Sequence, residues 1–87
     1  MRIWFKIFRD NKMLKDTTIT TTDESLTRTK KIFAALDEAC YAFDLPKPIW
    51  LDNNIHEFQR INKTRFTKDS FIETINFDYL EIHIISE

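Results

Sequence analysis

In Arg2-Ile3-Trp4-Phe5-Lys6-Ile7-Phe8-Arg9, the residues Ile3, Phe5 and Ile7 alternate with Arg2, Trp4, Lys6 and Phe8. A period of two marks a strand with one buried face. The stretch is therefore read as a strand over residues 2–9. Asp10-Asn11-Lys12 follows as a turn, since Asp and Asn tolerate left-handed backbone without glycine. Residues 13–22 then read as a second strand, because the Thr17-Thr18-Ile19-Thr20-Thr21-Thr22 run is β-branched and half polar, as suits an edge. The pattern returns over residues 78–86. There Leu80, Ile82 and Ile84 share one parity, and Tyr79, Glu81, His83 and Ile85 the other. Charge brings the two terminal strands together. Residues 1–15 hold five bases (Arg2, Lys6, Arg9, Lys12, Lys15) against Asp10. Residues 69–87 hold five acids (Asp69, Glu73, Asp78, Glu81, Glu87) and no Lys or Arg. Opposite charges on neighbouring strands attract, and like charges there repel.

Between these strands, Leu26, Ile32, Phe33, Leu36, Ala39, Cys40 and Phe43 recur at helical spacing, which predicts a helix over 24–44 with Asp23 as its cap. Glu24 suits the N-terminal end of the helix dipole, and Asp44 is misplaced at the other. Leu45-Pro46-Lys47-Pro48 stops the helix, because a residue before proline is pushed out of the α region. Ile49-Trp50-Leu51 reads as a short strand. A second helix, capped by Asp52 or Asn53, is expected to run to about Asn62 with Ile55, Phe58 and Ile61 on one side. Residues 63–76 are open between strand, a helical turn at Asp69 and loop, with Phe66, Phe71, Ile72 and Ile75 seeking burial. The expected fold is α+β: one domain over 1–87 in a ββαβαβ-like order. It has a small, mostly antiparallel sheet of about four strands, with one long and one short helix on one face.

The 87 residues include no glycine. The phosphate loop, the dinucleotide-binding turn and the serine-hydrolase elbow all use glycine for left-handed or close-approach backbone. GxGxxG, GxxxxGK[ST] and GxSxG are therefore absent. A chain of this length buries about 60–65% of the surface its unfolded form exposes, enough for one core and little more. Hydrophobic residues make up 43%, including eight Phe, two Trp and two Tyr, which opposes disorder. The net charge of −1 supplies no global field toward nucleic acid or an anionic membrane. Cys40 is the one cysteine, so no intrachain disulfide forms. Charges interrupt the first apolar run, unlike a signal peptide or a membrane span. The expected location is cytoplasmic.

Whole stretches of the chain resemble a group of short, uncharacterised bacterial proteins. The likeness rests on Arg2-Ile3-Trp4-Phe5-Lys6-Ile7-Phe8, on Thr27 through Asp52 with its Pro-Ile-Trp-Leu-Asp end, and on Arg65 through Ile82 with its Asn76-Phe77-Asp78-Tyr79-Leu80-Glu81-Ile82 end. The resemblance implies a bacterial, stand-alone, cytoplasmic domain. It carries no catalytic or ligand-binding residue across.

Each candidate site has a plain structural alternative. Asp52 and His56 are four apart on one helix face with Glu57 beside them, so a carboxylate could orient the imidazole as a base. A helix cap and a surface histidine account for the same residues. His56 and His83 could bind a metal with Asp52, but their spacing is generic, so neither a metal nor another cofactor is expected. Cys40 on the apolar stripe reads as a small buried hydrophobe. Arg60, Lys63, Arg65 and Lys68, with Phe58 and Phe66 nearby, could contact an anion or follow a nucleic-acid strand, or form a solvated loop. Trp4, Phe8, Trp50 and Tyr79 are the candidate partner-binding residues. Two helices can cover one sheet face, which leaves aromatics among charges on the other, where Trp and Tyr favour interfaces. The sequence thus points to a non-enzymatic interaction or regulatory domain with a protein partner or a second copy of itself. A nucleic-acid accessory role through segment 60–68 stands second, opposed by the balanced charge. An enzyme with a site around His56 stands third.

Overall fold

The computed structural model describes residues 1–87. Two strands, β1 (Arg2–Arg9) and β2 (Lys12–Thr20), are joined by Asp10-Asn11, whose φ angles are 53° and 63°. Positive φ at both central residues is what a tight two-residue hairpin needs to match the strand twist. The pairing register slips between Ile7 and Phe8, so Leu14 is the extra residue of a bulge. Two helices follow, α1 (Arg28–Phe43) and α2 (Asp52–Ile61), and then β3 (Lys63–Phe66), a 3₁₀ turn (Lys68–Ser70) and β4 (Tyr79–Ser86). The sheet is antiparallel throughout in the order β2-β1-β4-β3. The terminal strands β1 and β4 are central neighbours, as the charge pattern required.

The chain order is therefore ββααββ rather than ββαβαβ. Ile49-Trp50-Leu51 forms no strand. Ile49 N–H donates to Ser70 O at 2.6 Å, but the prolines before it supply no donors for a ladder. The missing strand is β3, inside the segment that the sequence left open. There Thr64 and Phe66 are buried, while Ile72 is 89% exposed, against expectation.

Helix α1 starts four residues later than Asp23 predicts. The Thr27 side chain accepts from Lys30 N–H at 3.2 Å and caps the helix, while Asp23 closes its own turn by accepting from Ser25 N–H and Oγ–H. Leu26 thus falls outside the helix. Ile32, Ala35, Leu36, Ala39 and Cys40 form the buried stripe at i, i+3, i+4, i+7 and i+8. Asp44 and Asn62 end the two helices in the left-handed region, with φ of 57° and 58°. With Asp10 and Asn11 they are the four positive-φ residues. A glycine-free chain thus places Asp or Asn wherever the backbone turns left-handed.

Helix α1 lies over β1 and β2, and α2 lies over β3, both on one side of the sheet. Between these layers sit Ile3, Phe5, Ile7, Leu80, Ile82 and Ile84, all buried as their parity predicts. Phe58, Phe66, Phe71 and Phe77 complete this core. Cys40 is buried within it, and burial first, then the Asp37 charge, push its thiol up to about 11. The thiolate is the reactive form, so a disulfide reagent is expected to modify the native protein no faster than the protein unfolds. Stoichiometric modification within the dead time of mixing, with the fold intact, would contradict this.

Candidate functional site

The face of the sheet turned away from the helices is built from even positions of β1 and odd positions of β3 and β4. Register lays them out in rows. One row crosses all four strands as Asp16, Lys6, Glu81 and Arg65. The next runs Thr18, Trp4, His83 and Lys63. The row on the other side is Met13, Phe8 and Tyr79. Phe8 and Tyr79 stack with ring centroids 5.0 Å apart. Trp4 Nε1 donates to Asp16 Oδ2 at 2.9 Å. Lys6 Nζ lies 3.8 Å from the Trp4 ring centroid, and the Arg65 guanidinium 4.5 Å from that of Tyr79. Each such cation–π contact contributes about 0.5–1 kcal/mol at a partly exposed site.

Glu81 sits at the centre of this face, yet is only 4% exposed. Its carboxylate takes Lys6 Nζ at 2.6 Å and Arg65 Nε at 3.1 Å, one on each oxygen. Burial alone would raise its pKa, but the hydrogen bonds and charges of Lys6 and Arg65 outweigh it, so Glu81 titrates below the ordinary carboxylate value. His83, in the neighbouring row, is held below its ordinary value by burial first and then by Lys6 and Lys63, with Glu81 opposing. Its Nδ1 has no hydrogen-bond partner.

Three of the four aromatic candidates, Trp4, Phe8 and Tyr79, therefore share the uncovered face, each half-buried. Trp50 does not join them. It lies on the helix side, 4.9 Å from Phe66, 5.3 Å from Phe58 and 6.2 Å from Phe33 between ring centroids. The basic segment also divides. Lys63 and Arg65 project from β3 onto the aromatic face, while Arg60 belongs to α2 and Lys68 to the 3₁₀ turn. Asp52 and His56 are exposed on α2, and no side-chain hydrogen bond joins either to Glu57 or to the other. No three His, Cys, Asp or Glu side chains gather as a metal site.

The sequence reading missed one buried polar cluster. Asn54 is buried in the first turn of α2. Its Oδ1 accepts from Leu51 N–H (3.1 Å) and Ser70 Oγ–H (3.3 Å), and its Nδ2 donates to Thr64 Oγ1 (3.1 Å) and Arg65 O (2.9 Å). This replaces the Asp52 or Asn53 cap that the sequence suggested. It also ties α2 and the 3₁₀ turn to β3, and so fixes the strand that carries Lys63 and Arg65.

No protein-family model, curated protein or solved structure matches the chain. The functional reading therefore rests on the site.

Proposed function

We propose that this chain is a non-enzymatic protein-interaction module. It works through the uncovered sheet face, and the occupant is a second copy of the chain. The observation that carries the reading is the placement of Trp4, Phe8 and Tyr79 together on the face that neither helix covers. Aromatic side chains that bury large area with few torsions make effective anchors. Lys6 and Arg65 already share the Glu81 carboxylate, so covering these three leaves Glu81 with its partners. Four strands about 4.8 Å apart, rising about 3.3 Å per residue, give a face of about 450 Å², so two copies would cover roughly 900 Å². That area suits a weak dimer. Sedimentation across a concentration series is expected to show self-association that the Trp4→Ser, Tyr79→Ser double variant weakens about tenfold or more. Circular dichroism checks that the variant stays folded. A wild-type chain still monomeric at about 0.5 mM would sink the reading.

A second reading, a single-stranded nucleic acid on the same face, is favoured by one observation. Lys63 and Arg65 land beside the aromatics, so the face holds four bases (Arg2, Lys6, Lys63, Arg65) against two acids (Asp16, Glu81). Bases stack on such aromatic platforms with cations alongside. It ranks second because Lys6 and Arg65 already occupy the Trp4 and Tyr79 rings. Binding to an oligo-dT or oligo-U probe is expected to be weak and lost with salt. Sub-micromolar affinity at physiological salt would reverse the ranking.

A further inference from the structure

On the opposite side of the molecule, residues of α1 and α2 together with Trp50 line a groove of about 230 Å³. Phe33 walls it from α1, and Ile55 and Phe58 from α2, with Trp50 common to both helices. Phe33 and Ile55 remain 49% and 38% exposed, although both are large apolar side chains on the groove walls. Trp50 brings a polar atom to this apolar setting. Its Nε1–H is buried without a hydrogen-bond partner, which is rare for a tryptophan donor. Arg28 lines the groove as well. Its guanidinium holds both carboxylate oxygens of Glu87, each at 3.3 Å, and Asn62 Oδ1 at 3.1 Å. The Arg28–Glu87 pair is half-exposed, so a competing carboxylate can reach it.

We propose that this groove binds a small apolar monocarboxylate. The carboxylate displaces the Glu87 side chain from Arg28, and the hydrocarbon body lies against Phe33, Trp50 and Ile55. Charge complementarity selects the headgroup, since an arginine fork matches a carboxylate bidentately. The volume selects a short chain or a single ring, because it falls below the usual range of about 300–1,000 Å³ for drug-sized ligands. Glu87 then acts as a built-in competitor, a property that a merely sticky groove would lack.

The test uses the full chain carrying Trp4→Phe, so that Trp50 is the sole tryptophan reporter. Octanoate and 3-phenylpropionate are titrated against its emission, with octan-1-ol as the uncharged control. At least one acid is expected to saturate with a Kd of about 0.1–1 mM. Arg28→Met should weaken it about tenfold, and Glu87→Gln should tighten it about threefold. Both positions are exposed, and thermal melts verify that the variants fold. Absence of saturation by both acids at about 10 mM overturns the proposal. So does binding that is indifferent to Arg28→Met and Glu87→Gln, or equal to that of octan-1-ol.

Discussion

Replacing Asn54 by leucine is expected to destabilise the domain by about 3–5 kcal/mol, a large part of the roughly 4–13 kcal/mol available to a chain of this size. Asn54 uses all four of its hydrogen-bonding capacities, two as acceptor and two as donor. Leucine has the same number and branching of side-chain heavy atoms but is bulkier, so the loss combines the missing hydrogen bonds with some overpacking. The Leu51 N–H, the Arg65 carbonyl and the Thr64 and Ser70 hydroxyls all lose their partner at once. Thr64 and Ser70 are each 1% exposed and cannot turn to water. Denaturant unfolding measures the loss. The pair Asn54→Leu, Thr64→Val should lose less than the sum of its single changes, because both members of one hydrogen bond are then apolar. A single-variant loss below about 1 kcal/mol would show that the cluster is incidental. Local exchange should report the same dependence, with β3 amides losing protection before those of β1.

Asn54 also shows where sequence reading stops. In Asp52-Asn53-Asn54 any of the three polar residues can serve as a helix cap, and nothing in one sequence says that Asn54 is the one that faces β3. The same limit explains Trp50. It lies in the irregular stretch after Pro46 and Pro48, where no period assigns a face, and only the packing of Phe33, Phe58 and Phe66 around it does. Helix α1 was legible through Ile32, Leu36, Ala39 and Cys40. Its start was not, because Asp23 and Thr27 are both capable caps, and it is Thr27 that accepts from the first-turn Lys30 N–H. In β3, Lys63-Thr64-Arg65-Phe66 alternates for only four residues, too short a run to separate from a turn. By contrast, β1 and β4 each repeat period two across a full strand, so their buried and open faces followed from parity. The charge asymmetry of the two ends foretold their adjacency, and Lys6–Glu81 realises it at the centre of the sheet. Parity alone could not foretell the row itself. Which acid meets which base depends on register, and register follows from the hairpin and from the β1–β4 pairing.

Glu81→Gln is expected to cost about 2–4 kcal/mol at neutral pH. Glutamine keeps the shape but removes the charge that Lys6 faces. Lys6 is only 11% exposed at its side chain, so its ammonium is left poorly paired unless the stem bends outward. Arg65 is more exposed and loses less. The combination Lys6→Met with Glu81→Leu should recover most of the loss, since removing both charges removes the unpaired one. A double variant as unstable as Glu81→Gln would refute the charge explanation. The pH dependence follows from the same groups. Glu81 titrates in the folded state below its ordinary value of 4.5, so its contribution is complete above that pH and fades as pH falls through the folded value. His83 is held below 6.5 in the folded state, so the unfolded chain takes up its proton first on acidification. Its contribution is likewise present above about 6.5 and lost as pH falls. Wild-type stability should therefore decline in two stages, first below about pH 6.5 and then below about pH 4.5. His83→Phe should flatten the first stage while Lys6, Arg65 and Lys63 keep their charge. Glu81→Gln should shrink the second stage and deepen the first, since the Glu81 charge opposes the lowering of the His83 pKa. A wild-type profile unchanged between pH 7 and pH 5 would refute the His83 part.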